Sequence, residues 1–296
     1  MKKIIVCDSG LGGLNIADHF FSADAVDKEK CELIYFNAYP SADCGFNKLP
    51  SLRAQEEVFR DVLEGMKKFA PDRCLIACNT LSIVYERLRT WYEPAFPVEG
   101  IVNIAVDGMF SALKNNPGSS LLILGTKSTV ESGVYSKMLV EKGISPERIR
   151  SCACPGLATL LESEPDIYNP VDMELAGAVM GHVIGTALKS ATIFERKPEK
   201  LFLGLCCTHF GFVSGLWLEE FRKFVADDVE LVNPNELMGN QWKALNISYH
   251  SKIDFFPGAK ENMSAYFEKR APQIAGALKS ADIDKNLFEF NERMYL

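Results

Sequence analysis

The sequence predicts an α/β protein with parallel sheets, divided into two domains, and three observations carry that expectation. Short apolar runs alternate with helix-length amphipathic segments along the chain, a pattern that gives parallel strands joined by helical crossovers. The 296 residues exceed one typical domain, so two cores of ordinary size are expected. Polar motifs also fall where apolar strands end: Leu203-Gly204-Leu205 runs into Cys206-Cys207-Thr208-His209-Phe210, and Leu75-Ile76-Ala77 runs into Cys78-Asn79-Thr80-Leu81. Ligands of open α/β sheets sit at the carboxyl ends of strands. Cys78 and Cys207 therefore suggest two opposed bases, each followed by a hydrogen-bonding threonine.

In chain order, Lys3 to Cys7 reads as the first strand. The turn Asp8-Ser9-Gly10-Leu11-Gly12-Gly13 and a helix from Leu14 to Phe21 follow, a helix N-terminus whose N–H groups favour an anion. The glycines do not fit G-x-G-x-x-G, and the next strand, Glu32 to Phe36, ends at Asn37 rather than at a ribose-binding acid, so a dinucleotide site is not expected. Asn37 to Pro50 has the length and composition of a binding loop. From Ser51 a helix carries Phe59, Val62, Leu63 and Met66 on one face. Strand Cys74 to Ala77 then leads to Cys78-Asn79-Thr80 and another helix.

Pro94 to Pro97 marks a crossing point, after which a strand near Val98 to Ile101 and a helix through Val106 to Leu113 restart the pattern. The turn Asn115 to Gly118 precedes strand Leu121 to Leu124, which ends in Gly125-Thr126-Lys127-Ser128-Thr129. A strand near Arg148 to Cys152 precedes Cys154-Pro155 and a short helix containing Glu162; Pro170 to Leu188 reads as a longer helix. Leu201 to Leu205 is the strand that carries Cys207. The remaining elements are helix Val213 to Val225, strand Val229 to Val232, a capped helix from Asn235, strand Ile253 to Phe256 and helix Glu261 to Leu278.

Composition narrows the function classes. Hydrophobic residues make up 47% and charged residues 24%, ordinary values for a globular protein. A net charge of −7 with scattered Lys and Arg gives no basic stripe for nucleic acid. The longest mostly apolar segment, Leu175 to Leu188, is broken by His182 and glycines and is shorter than a bilayer span. Asp8 ends the first apolar run too early for a signal peptide, so a cytoplasmic protein with no membrane partner is expected. Nine cysteines read as free thiols, with Cys7, Cys31, Cys74, Cys152 and Cys206 as small core residues. A zinc site at Cys206, Cys207 and His209, extended by Cys152 and Cys154, lacks C-x-x-C spacing and is not expected.

Five motifs in order carry a resemblance: Asp8 to Gly13; Ala77-Cys78-Asn79-Thr80; Gly125-Thr126 with Thr129, Ser132 and Tyr135; Ala153-Cys154-Pro155 with Glu162; and Cys207-Thr208-His209-Phe210. Together they resemble the cofactor-independent aspartate/glutamate racemase superfamily, its glutamate racemase branch most of all. The resemblance implies two flavodoxin-like parallel-sheet domains facing each other with the active site in the cleft. Residues 1–97 and 211–296 would form the first domain and 98–210 the second. It further implies a homodimer that needs neither pyridoxal phosphate nor metal, interconverting L- and D-glutamate to supply D-glutamate for peptidoglycan.

Inverting an amino-acid α-carbon requires a base on one face and an acid on the other. A thiol serves as either when a helix N-terminus or a cation brings its ionisation toward neutral pH. The family pattern places Cys78 and Cys207 in these roles, with Asp8 as helper to Cys78 and with His209 and Glu162 as helpers to Cys207. Ser9, Asn79, Thr80, Thr126, Thr129 and Thr208 would bind the substrate's carboxylates and ammonium group. Asp8 has an alternative role as a helix cap. The loop departs from the family: Gly45 aligns with the glycine of its Pro-Tyr-Gly segment, leaving Asp43 and Cys44 where Pro and Tyr are expected. Cys44 and Gly45 are the substrate-loop candidates. The extra carboxylate makes aspartate or another small carboxylate the rival substrate, and a non-catalytic binding protein is the rival class.

Overall fold

The structure, a computed structural model, describes residues 1–21, 28–38, 45–163, 181, 184–191, 194, 198–251 and 272. The described strands are β1 (Lys2–Asp8), β2 (Lys30–Asn37), β3 (Arg73–Ile76), β4 (Val98–Gly100), β5 (Ser119–Gly125), β6 (Ile149–Ala153), β7 (Lys200–Cys206), β8 (Val229–Val232) and β9 (Lys243–Ser251). They form two sheets, β4-β3-β1-β2-β9 and β6-β5-β7-β8, and the recorded pairings are all parallel. The chain divides accordingly into one unit made of Met1–Ile101 with the segment from Met238 onward, and a second of Val102–Leu237.

The first sheet is apolar on both faces, as buried parallel strands require: Ile4, Ile5, Val6 and Cys7 of β1 are all fully buried. Helix Leu52–Met66 begins at Ser51, whose hydroxyl accepts the Ala54 N–H at 3.1 Å, and it buries Phe59, Val62, Leu63 and Met66. Each such side chain contributes about 1.5–3 kcal/mol when fully buried. Buried Glu56 on the same helix accepts Arg87 Nε at 3.1 Å and Trp91 Nε1 at 2.9 Å, which ties this helix to helix Asn79–Leu88. The second unit's core gathers Leu122, Leu124, Leu201, Leu203, Leu205, Phe210, Trp217 and Phe221.

The boundaries between units differ from those expected at residues 98 and 211. Val98–Gly100 pairs with β3, from Cys74↔Val98 to Ile76↔Gly100, and the Cys74 N–H already bonds to the Pro97 carbonyl at 2.9 Å. That pairing keeps the strand in the first sheet. After Cys207 the chain stays with the second unit, because β8 pairs with β7 and helix Ser214–Phe224 sinks Trp217 and Phe221 into that core.

β9 has no counterpart among the expected strands. It pairs with β2 from Lys30↔Lys243 to Asn37↔Ser251, with a register shift between Cys31 and Glu32. The expected strand Ile253 to Phe256 lies outside the described residues, as does the body of helix Glu261 to Leu278. Of the expected helix Pro170 to Leu188, residues 181 and 184–188 are described and are helical, and the helix runs on to residue 191, with Ile184, Ala187 and Ala191 buried. Among the described residues no helix is long and apolar enough to cross a membrane.

Candidate active site

Both units share one strand order. Taken by position within each unit, β2-β1-β3-β4 and β6-β5-β7-β8 are each 2-1-3-4, the flavodoxin order, with β9 added outside β2 in the first. In such sheets the topological switch point lies between strands 1 and 3, where the crossovers leave to opposite faces and open a crevice at the carboxyl ends. The motif residues fall there: Asp8 ends β1 and Cys78 follows β3, while Thr126 follows β5 and Cys207 follows β7.

In the first unit, Asp8 is only 2% exposed, and its carboxylate organises the glycine-rich turn. Oδ1 accepts the Ser9 N–H at 2.8 Å and Oδ2 accepts the Gly13 N–H. The anion that the turn favours is thus the chain's own aspartate. A Cβ at Gly13 would lie 2.8 Å from Asp8 Cβ and 3.0 Å from Ala77 Cβ, so only glycine lets the turn close over the strand ends. Tyr35 fixes the tip, its hydroxyl donating to the Gly10 carbonyl at 2.7 Å.

The turn presents Ser9 to the cysteine. Ser9 Oγ lies 3.1 Å from Cys78 Sγ, so a chain of contacts runs from Asp8 through Ser9 to the thiol. Cys78 is also the N-cap of helix Asn79–Leu88: its sulfur accepts the Leu81 N–H at 3.4 Å. The helix end favours negative charge on that sulfur. Asn79 is buried and Thr80 half-buried in the first turn of the same helix. Gly45 is half-buried and extended, just before a short 3-10 turn, Phe46–Lys48; Cys44 and Asp43 lie outside the described residues.

In the second unit, Thr126 caps helix Lys127–Glu131, its hydroxyl accepting the Thr129 N–H at 3.3 Å. Its Oγ1 also lies 2.9 Å from Thr129 Oγ1 and 3.1 Å from Ser128 Oγ, which makes a cluster of three hydroxyls at the end of β5. Cys207, 6% exposed, has its sulfur 3.9 Å from His209 Nδ1. The short 3-10 turn Phe210–Val213 follows, started by the Phe210 N–H bonding to the Cys207 carbonyl at 3.0 Å. Thr208 and His209 are both buried, and the His209 ring meets Phe212 edge-on at 6.2 Å.

Cross-strand register aligns the motifs of this unit. Ala153, Gly125 and Cys206 form one row across β6, β5 and β7, which puts Cys154, Thr126 and Cys207 one position further on. Hydrogen bonding to Cys152 and burial push the Cys154 thiol far above its usual ionisation range, so it stays protonated. Cys206 is fully buried, and burial pushes its thiol up as well, in keeping with a core role. Helix Leu157–Ser163 contains Glu162, whose side chain lies outside the described set. Among the described residues no group of three His, Cys, Asp or Glu could hold a metal ion.

Sequence reasoning missed two buried side chains that support these turns, Tyr35 and Asn235. Asn235 is fully buried and its Nδ2 donates to the Thr208 carbonyl at 2.8 Å. Its one visible signal is the Asn-Pro-Asn-Glu run at residues 233–236, a helix start.

The repeated strand order and the chemistry at both switch points define the class: an α/β enzyme built from two related parallel-sheet units. No protein-family model matches the chain. It is 28% identical over 281 residues to the glutamate racemase of Aquifex pyrophilus, covering 94% of this chain and 92% of that one. It is 30% identical over 226 residues to the glutamate racemase of Nitratiruptor sp., covering 73% and 75%. The crystal structure of glutamate racemase from Campylobacter jejuni superposes with a TM-score of 0.65 at 22% identity, over 90% of this chain and 98% of that one, and so shares the fold. The chain belongs to the glutamate racemase family, and it is an amino-acid racemase, an isomerase.

Proposed function

We propose that the protein interconverts L- and D-glutamate without a cofactor, with Cys78 and Cys207 as its two acid–base groups. The observation that carries this reading is the repetition. Each unit brings one cysteine to its switch point beside a hydrogen-bonding partner, Ser9 at 3.1 Å from Cys78 and His209 at 3.9 Å from Cys207. One thiolate removes the α-proton, and the other thiol protonates the opposite face of the resulting carbanion. The first sulfur leaves as thiol and the second as thiolate, so the reverse reaction exchanges the roles and no net charge or atom is consumed.

Within this reading Asp8 acts through the Gly-rich turn and Ser9, as a positioning group for Cys78, while His209 supplies a proton-sharing partner to Cys207. Glu162 is retained as a second helper of Cys207. The hydroxyls of Ser9, Thr80, Thr126, Thr129 and Thr208, with the Asn79 amide, would hold the substrate's polar groups and stabilise the carbanion by directed hydrogen bonds. Cys44 and Gly45 belong to the loop that would contact the substrate side chain. The product would supply D-glutamate for peptidoglycan, from a cytoplasmic homodimer.

The test is α-proton exchange in deuterated water, followed by NMR, on L- and D-glutamate and L- and D-aspartate separately. Exchange with inversion on glutamate is expected. Inversion on aspartate alone would instead assign the reading to the altered loop, and no exchange on any of the four would end it. Cys78→Ala and Cys207→Ala should each slow racemisation by about 10²–10⁴-fold, the usual contribution of a positioned acid or base. A wild-type rate in either variant would remove that cysteine from the mechanism.

A further inference from the structure

The geometry points to Asn235 as a positioning residue for Cys207, holding the Cys207-Thr208-His209 turn through the Thr208 carbonyl. The inference rests on reading Cys207 as an acid–base group. Asn235 Nδ2 donates to that carbonyl at 2.8 Å, across 27 residues of sequence, and the Asn235 side chain is fully buried. Thr208 stands between the thiol and the imidazole, so the orientation of its peptide group sets where Cys207 Sγ and His209 Nδ1 meet, now 3.9 Å apart.

The donor is itself held in place. Asn233 Oδ1 accepts the Asn235 N–H at 3.2 Å and Asn233 Nδ2 donates to Glu236 Oε1 at 2.8 Å, while Pro234 opens helix Pro234–Gly239. This is a variant of the capping box, with Pro preset for the first helical position. Packing adds a second anchor: a Cβ at Gly108 would meet Leu237 Cδ1 at 2.5 Å, so helix Ile101–Asn115 and this helix touch closely within the second unit. Asn235 is therefore a fixed donor aimed at the active turn. Without it, the buried Thr208 carbonyl loses this hydrogen bond and the turn relaxes.

Asn235→Asp keeps the shape but replaces the amide donor by a carboxylate, which repels a carbonyl oxygen; Asn235→Ala removes the donor without adding charge. The experiment measures kcat and KM for glutamate, and in parallel the iodoacetamide alkylation rates of Cys207 and Cys78 by peptide mass spectrometry, on full-length protein with unchanged circular dichroism. Both variants should lower kcat by about tenfold or more, the scale of a small misplacement of a reacting group. KM should change less than kcat, because of the groups proposed to bind substrate only Thr208 lies in this turn. Alkylation of Cys207 should slow in both variants while that of Cys78 matches wild type.

Equal changes at both cysteines would mean general loosening and would overturn the inference. So would wild-type kcat together with wild-type Cys207 alkylation in Asn235→Asp. If the wild-type protein fails to racemise glutamate yet the variants still slow Cys207 alone, Asn235 stands as the positioning residue of that thiol and only the substrate reading falls.

Discussion

Gly13→Ala tests whether the glycine-rich turn is a mechanical part of the site. The added Cβ would sit 2.8 Å from Asp8 Cβ, 2.9 Å from Asp8 Oδ2 and 3.0 Å from Ala77 Cβ. The two carbon contacts fall about 0.5–1 Å inside the usual separation, and both are Cβ atoms fixed to backbone at the ends of β1 and β3, so no flexible side-chain end can give way. The turn must lift instead. Overpacking of this kind costs about 1–3 kcal/mol. Losing the Gly13 N–H bond to the Asp8 carboxylate adds about 1.5–3 kcal/mol. At about 2–4 °C per kcal/mol for a unit of this size, melting of the first unit should fall by roughly 5–25 °C in differential scanning calorimetry. Well below that temperature, racemisation should still drop by about tenfold or more, because Ser9 moves away from Cys78 when Asp8 no longer anchors its N–H. A Gly13→Ala protein that melts and turns over like wild type would refute the argument.

Two further perturbations separate stability from chemistry. Arg148 donates to the carbonyls of Ser119, Leu113 and Asn116 at 2.7 to 2.9 Å, so Arg148→Met should cost about 2–4 kcal/mol in urea denaturation. It should leave kcat unchanged, because Arg148 precedes β6 and Cys154 follows its far end; a selective loss of kcat would contradict this. Stability should also fall in alkali. Burial pushes Cys7, Cys74 and Cys206 up and raises Cys31 to about 12, whereas exposed thiols ionise near about 8.5. The folded state therefore holds protons that the unfolded state has released, so this stability is fully present below about pH 8.5 and is lost as pH rises toward 12. Denaturation midpoints should decline from about pH 8 to pH 10, and Cys74→Ala should flatten the slope; midpoints independent of pH would sink the idea.

Elements whose apolar residues keep one period were legible in the sequence. Phe59, Val62, Leu63 and Met66 repeat at helical spacing, and the helix they predict forms with Ser51 as its cap. β8 appears at the expected Val229–Val232 because its ends are set by polar neighbours. β9 was not legible, since the register shift opposite Cys31 and Glu32 changes its phase. Ala244 and Ile247, three residues apart, are both buried, while Leu245 is 51% exposed. Alternation alone cannot reveal such a strand. The unit boundary failed for a related reason: Val98–Gly100 is too short to show its allegiance, which pairing with β3 decides. Candidate chemistry was visible at Asp8, Cys78, Thr126 and Cys207, where apolar runs stop at polar groups. Tyr35 and Asn235 act on backbone carbonyls 25 and 27 residues away, and no local pattern encodes that reach.

The two thiols occupy equivalent positions in their sheets but different local environments. Cys78 caps a ten-residue α-helix through its sulfur, so the helix end and the Ser9 hydroxyl both act on that atom. Cys207 starts a short 3-10 turn through its carbonyl instead, which leaves the sulfur to face an imidazole. A helix N-terminus stabilises an anion without exchanging a proton, whereas histidine can give or take one near neutral pH. A reaction that inverts one carbon does not require identical bases, because equal stability of the two enantiomers constrains the overall equilibrium and not each proton transfer. The difference instead gives the two thiols different hydrogen-bonding partners. On the proposed two-thiol mechanism, His209→Asn should therefore change the pH dependence of the half-reaction that begins at Cys207 and leave the one that begins at Cys78 close to wild type.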